Sequence, residues 1–167
     1  MASVEEVKLE GECFQDALRL VCQFFRVDNI FEDQVKVIKA FFKGNNVFYC
    51  ASTGYGKSIV FQSIPLLADI LLDQVIGTST AIVVCPLVSL MRDQVSKVNE
   101  LGINAAAVFQ GKDKAILKDV ENGLYSPVFT SPESMLHKRW EKMCKSQTFV
   151  ENCICVAVDE AHCITQW

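Results

Sequence analysis

An α/β fold, with a parallel sheet flanked by helices on both faces, is what this sequence of 167 residues predicts. Short apolar runs recur along the chain, stretches of helical spacing separate them, and glycine or proline stands at the joins. The runs are rich in β-branched and aromatic residues and cover 47–50, 81–85, 105–109, 128–130 and 154–158. Continuous runs of this kind suit parallel strands buried on both faces rather than half-exposed antiparallel ones. Strands alternating with helices of about 10–15 residues imply βαβ units.

Two helices are expected before the first run. Cys13, Phe14, Ala17, Leu18, Val21 and Phe25 share one helical face, and Val35, Ile38 and Phe42 share the next. This is the pattern of an N-terminal helical hairpin capping the sheet, with Phe24, Phe25, Phe41 and Phe42 in the core. After the run at 81–85, Leu87, Leu90, Met91, Val95, Val98 and Leu101 form a stripe, and Ile116, Val120 and Leu124 form a second. Gly77, Gly102, Gly123, Pro127 and Pro132 fall where helices and strands must end. The organisation expected is a helical segment at 1–26 followed by a sheet-bearing lobe at 27–167.

Half the residues are apolar and 22% are charged, as in an average globular protein. Residues 1–34 hold eight acids against three bases, and the remainder holds twelve against thirteen. That balance excludes a strongly basic nucleic-acid-coating protein but leaves room for local contacts to phosphates. No apolar run approaches the roughly 18 residues of a membrane span. Glu5, Glu6, Glu10 and Glu12 around a single Lys8 are the opposite of a secretory leader, so none is expected. The eight cysteines include no Cys-x-x-Cys pair, so reduced thiols are expected rather than a disulfide frame or a zinc site. Cys50, Cys85, Cys153 and Cys155 fall in or beside the apolar runs, where a thiol packs as a small hydrophobe. An intracellular protein is the corresponding expectation.

The most specific string is Ala51-Ser52-Thr53-Gly54-Tyr55-Gly56-Lys57-Ser58, after one apolar run and before a helix-competent stretch. Glycines let a backbone turn so that successive N–H groups face an anion, and a helix N-terminus adds positive potential to the same place. In such a loop Lys57 meets the β- and γ-phosphates of a nucleotide, and the Ser58 hydroxyl joins Mg²⁺. Ala51 stands where the usual pattern has its first glycine.

A second constellation closes the last run: Val156-Ala157-Val158-Asp159-Glu160-Ala161-His162. Two adjacent carboxylates at the end of a buried strand need compensation, and a divalent ion supplies it. Asp159 is the candidate Mg²⁺ holder, and Glu160 is the candidate base for an attacking water.

Together the loop and Asp159-Glu160-Ala161-His162 resemble superfamily 2 helicases, and their surroundings resemble the RecQ family of DNA helicases. Cys85-Pro86-Leu87-Val88-Ser89-Leu90-Met91-Arg92-Asp93-Gln94-Val95 is similar to that family's motif Ia, and Thr130-Ser131-Pro132-Glu133 to its next motif. Cys163-Ile164-Thr165-Gln166-Trp167 resembles the start of its aromatic-rich loop, and Gln34 falls at its motif 0 glutamine. A DEAH-type RNA helicase would lack both Gln34 and the motif Ia string. The chain departs from the family at Ile30 and Phe31, where Phe-Arg or Phe-Lys is usual, and in a longer segment at 67–80.

The resemblance implies a RecA-like P-loop lobe over roughly residues 18–167 that takes ATP and Mg²⁺. It implies nucleotide contacts by Gln34 (to adenine), Thr53, Gly54, Tyr55, Gly56, Lys57 and Ser58. Metal binding falls to Ser58 and Asp159, and catalysis to Lys57, Asp159 and Glu160. His162, Gln166 and Trp167 couple the nucleotide to DNA, which Ser89, Arg92, Ser131 and Glu133 contact. The activity implied is ATP-driven 3'-5' DNA unwinding, in a nucleus where the cell has one. It needs a second RecA-like lobe, in cis or in trans, because that lobe supplies arginines worth about 10³–10⁵ in rate. None of it lies within these residues, so a fragment unable to unwind DNA alone is expected. The alternative left open is a nucleotide-binding or interaction module, such as a truncated paralogue, without motor activity.

Overall fold

The computed structural model describes residues 6–109 and 113–166. The chain divides into two units, Met1–Ile76 and Gly77–Trp167.

The first unit is built from α1 (Glu6–Glu10), α2 (Glu12–Phe25), α3 (Glu32–Phe42) and α4 (Lys57–Leu71). On α2 the stripe Phe14, Ala17, Leu18, Val21 and Phe25 is buried as its spacing requires, while Cys13 and Phe24 are exposed. On α3 the buried residues are Gln34, Ile38 and Phe42. Both α2 and α3 pack against α4, so the expected hairpin gives way to docking on a third helix. The reason lies in α4, whose Val60, Ile64, Leu66, Leu67, Ala68 and Leu71 are all buried. A helix apolar on most sides takes neighbours on more than one. Lys8 Nζ donates to the Leu71 carbonyl at 2.7 Å and satisfies one of the acceptors a helix end leaves open.

The strand expected at 47–50 does not form. Residues 45–50 carry no regular structure, Cys50 is exposed, and Phe48 is 83% exposed. Strand propensity is fit to a pleated, half-buried surface. The described elements of this unit are all helices, so apolar composition alone gives the segment nothing to pair with.

The second unit carries β1 (Thr80–Val84), β2 (Ala106–Val108), β3 (Val128–Thr130) and β4 (Cys153–Val158) in the order β2-β3-β1-β4, every pairing parallel. These are four of the five expected strands. Helix α5 (Val88–Glu100) links β1 to β2, and α6 (Asp113–Glu121) links β2 to β3. Three short helices, α7 (Pro132–Met135), α8 (Lys138–Met143) and α9 (Gln147–Asn152), lead to β4. Asn99 closes the turn after α5 by accepting the Ala105 N–H at 2.8 Å.

Pairing puts Ile82 beside Val128, and both join Val108, Leu117, Val120, Trp140, Met143 and Phe149 in one core cluster. The neighbouring pair Val83 and Phe129 points to the opposite face and is equally buried. The two inner strands are thus buried on both sides, as parallel strands should be. The expectation fails for β4. It ends the strand order, and Val156 and Val158 are exposed. Leu87 and Leu124, the first and last residues of the two expected stripes, are exposed too, because Leu87 precedes α5 as its N-cap and Leu124 follows the end of α6.

Candidate nucleotide-binding site

The loop between residue 50 and α4 turns on two glycines. Gly54 and Gly56 have φ of +82° and +79°, a region that side chains with a Cβ enter only at a cost. Gly56 is also the N-cap of α4, and a Cβ there would stand 3.3 Å from Gln34 Nε2. The positive φ favours glycine at this position, and a Cβ would also press on the Gln34 amide. Ala51 is not among the positive-φ residues, so the departure from the usual first glycine costs the backbone nothing.

Lys57 opens α4 and folds back over the loop. Its Nζ donates to the Ala51 carbonyl at 3.0 Å and to the Ser52 carbonyl at 3.1 Å. Gln34 meets the loop from the other side. Its Nε2 donates to the carbonyls of Tyr55 at 3.1 Å and Gly56 at 3.3 Å, while its Oε1 accepts the Phe31 N–H at 2.9 Å. Gln34 is buried, and its amide is spent on the loop and on the start of α3. The Phe31 and Tyr55 rings lie with centroids 4.9 Å apart and planes tilted by 31°. Thr53 is exposed and Ser58 half-buried in the first turn of α4. A lysine ammonium at a helix start, beside a loop turned on two positive-φ glycines, fits an anionic polyphosphate.

The acidic pair is built on the end of β4. The Asp159 N–H donates to the Val84 carbonyl at 2.9 Å and carries the ladder one residue past the strand. Glu160 then leaves it with φ of +51°. A non-glycine residue in that region costs about 1–2 kcal/mol, a strain that collects at functional turns. Two bonds hold it there: the Glu160 N–H donates to Asp159 Oδ1 at 3.0 Å, and its carbonyl accepts the Cys163 N–H at 2.8 Å. His162 Nδ1 lies 3.2 Å from Glu160 Oε2. Burial, with a smaller push from Asp159 and Glu160, raises the Cys85 thiol to about 12, so Cys85 stays neutral beside the pair. Carboxylate oxygens are the donors that Mg²⁺ prefers. Among the described residues no three His, Cys, Asp or Glu side chains come together as a metal cluster.

Residues 31–167 match the DEAD/DEAH box helicase family. The chain belongs to that family. Its sheet and helices are accordingly those of a RecA-like helicase lobe. Among curated relatives it is 34% identical over 119 residues to the ATP-dependent DNA helicase RecQ of Bacillus subtilis (strain 168), covering 69% of this chain and 18% of that protein. It is 33% identical over 116 residues to the bifunctional 3'-5' exonuclease/ATP-dependent helicase WRN of Mus musculus, covering 70% and 8%. The ATP-dependent helicase wrn-1 of Caenorhabditis elegans matches at 32% over 155 residues, covering 92% and 14%. The chain thus spans less than a fifth of each of these three relatives.

The remaining helicase-motif residues fall at the C-terminal ends of strands, where open α/β sheets take ligands. Ser89 is exposed in the first turn of α5, and the Arg92 guanidinium sits 5.2 Å from the centre of the Phe109 ring. Ser131 is buried as the N-cap of α7, its Oγ accepting the Ser134 N–H at 3.3 Å, whereas Glu133 is exposed. Gln166 closes the final turn Ala161–Gln166, and Trp167 lies outside the described residues. Phe31, Asp33 and Tyr49, which adjoin the loop in space, were not legible as site residues. Nothing in their spacing distinguishes them from a helix start and an apolar run.

Proposed function

We propose that this chain is the ATP-binding lobe of a DNA-dependent ATPase that, completed by a second RecA-like lobe, unwinds DNA in the 3'-5' direction. What supports the reading is the glycine-hinged loop with Lys57 seated on it, in a chain of the helicase family. In this reading Thr53, Gly54, Tyr55 and Gly56 surround the phosphates of ATP, Lys57 neutralises them, and Ser58 and Asp159 hold Mg²⁺. Bound Mg²⁺ supplies charge compensation at the transferring phosphoryl group. Glu160 accepts the proton of the attacking water. Gln34 serves the adenine end by fixing α3 against the loop.

DNA is the partner proposed, with Ser89, Arg92 and Glu133 at its surface and Ser131 setting α7. His162 touches Glu160 and so joins the acidic pair to the turn that ends in Gln166, and with Gln166 and Trp167 it couples the nucleotide to DNA. A cell interior, and a nucleus where there is one, is the proposed place of action. Lacking the second lobe's arginines, these residues by themselves turn ATP over about 10³–10⁵ more slowly than a completed enzyme.

The test is calorimetric titration with MgATP. Wild type is expected to bind, and Lys57→Ala to bind about 10- to 100-fold more weakly, the value of one or two hydrogen bonds to a charged group. Equal affinity in the two proteins would remove the loop from nucleotide binding.

A further inference from the structure

Phosphate-binding loops of this kind depend on glycines for their shape and on a lysine for their charge, and neither explains what holds the two arms of this one. The incoming arm, residues 45–50, forms no strand, so no ladder fixes it. Between Gly54 and Gly56 the single side chain is that of Tyr55. Both arms end on one carboxylate. Asp33 Oδ2 accepts the Tyr49 hydroxyl at 2.7 Å, and Asp33 Oδ1 accepts the Tyr55 hydroxyl at 3.1 Å.

Asp33 lies in the first turn of α3, where a helix's positive end favours an acid. The Tyr49 hydroxyl, and then that of Tyr55, hold its carboxyl below the usual carboxylate range. Burial first, and the carboxylate second, push both phenols upward, so each stays a hydrogen-bond donor at neutral pH. The next residue, Gln34, takes the backbone of the same stretch through the Tyr55 and Gly56 carbonyls. One helical turn therefore grips Tyr55 by side chain and by main chain, and ties Tyr49 to the same point.

We propose that Asp33 is a positioning residue for the phosphate loop, setting the spacing of its two arms before a polyphosphate arrives. This rests on the phosphate-binding reading above. A loop held ready loses less ordering entropy on binding, so its gain appears as affinity for the phosphate chain and not for the base.

The experiment measures displacement of a fluorescent ATP analogue from the whole chain, with Mg²⁺, by ATP and by inorganic tripolyphosphate, which has no base or sugar. Wild type is expected to bind both; if it bound neither, the phosphate-loop reading itself would fail. Asp33→Ala is expected to weaken both competitors by the same factor, about fivefold to thirtyfold. Tyr55→Phe should weaken them alone, yet add less than about twofold in the Asp33→Ala background, because both act through one bond. Unchanged tripolyphosphate affinity in Asp33→Ala overturns the proposal, whether or not ATP affinity falls. If Asp33→Ala does not fold, Tyr49→Phe and Tyr55→Phe carry the test. Each is expected to lower tripolyphosphate affinity at an unaltered urea midpoint, and wild-type affinity in both overturns it.

Discussion

Glu160→Gln is expected to bind MgATP within about twofold of wild type while slowing hydrolysis by about 10²–10⁴, the contribution of a positioned general base. The amide has the shape of the carboxylate and can still bond His162 Nδ1, which lies 3.2 Å from Glu160 Oε2. The backbone bonds that hold the left-handed turn at residue 160 do not involve the side chain's charge. What is lost is the ability to take a proton. Single-turnover hydrolysis with protein in excess over labelled ATP reads rates too slow for steady-state assays. A rate unchanged from wild type would strip Glu160 of its role, and a parallel loss of binding would show that it serves the metal instead.

The second large effect is on stability. Trp140, only 1% exposed, is the largest side chain of the cluster formed with Ile82, Val108, Leu117, Val120, Val128, Met143 and Phe149. Trp140→Ala is expected to cost about 3–5 kcal/mol through lost burial and the cavity left behind. At a slope of about 1–3 kcal/mol per molar urea, that moves the unfolding midpoint down by at least about 1 M. Its Nε1 is buried without a hydrogen-bond partner among the described residues, so Trp140→Phe removes an unsatisfied donor together with part of the ring. The two changes oppose each other, and Trp140→Phe should stay within about 1 kcal/mol of wild type. Urea titration followed by far-ultraviolet circular dichroism separates the outcomes. Equal midpoints for the alanine and phenylalanine variants would show that ring volume is not what this position supplies.

The sheet was readable wherever burial on both faces dictated composition. The residues of β1, β2 and β3 could scarcely be anything but apolar, since Val83 and Phe129 fill one face while Ile82 and Val128 fill the other. The segment at 47–50 carried the same composition and formed no strand, because pairing is a property of neighbours that residue type does not encode. The glycine-hinged turn at 54–56 and the end of the strand at Asp159-Glu160 were legible, because glycine marks a positive-φ turn and the apolar run stops at the acids. Gln34 was legible as a motif residue, but its grip on the Tyr55 and Gly56 carbonyls was not. The Asp33 bonds to Tyr49 and Tyr55 join residues 16 and 22 positions apart, and no local period marks them.

Lys57 is tied to its own loop. Its ammonium already has two acceptors, the carbonyls of Ala51 and Ser52, so an arriving anion must outbid an internal occupant. On the proposed reading those two bonds are exchanged for bonds to the anion, so what binding gains at Lys57 is the difference between the two sets and not the whole of the new one.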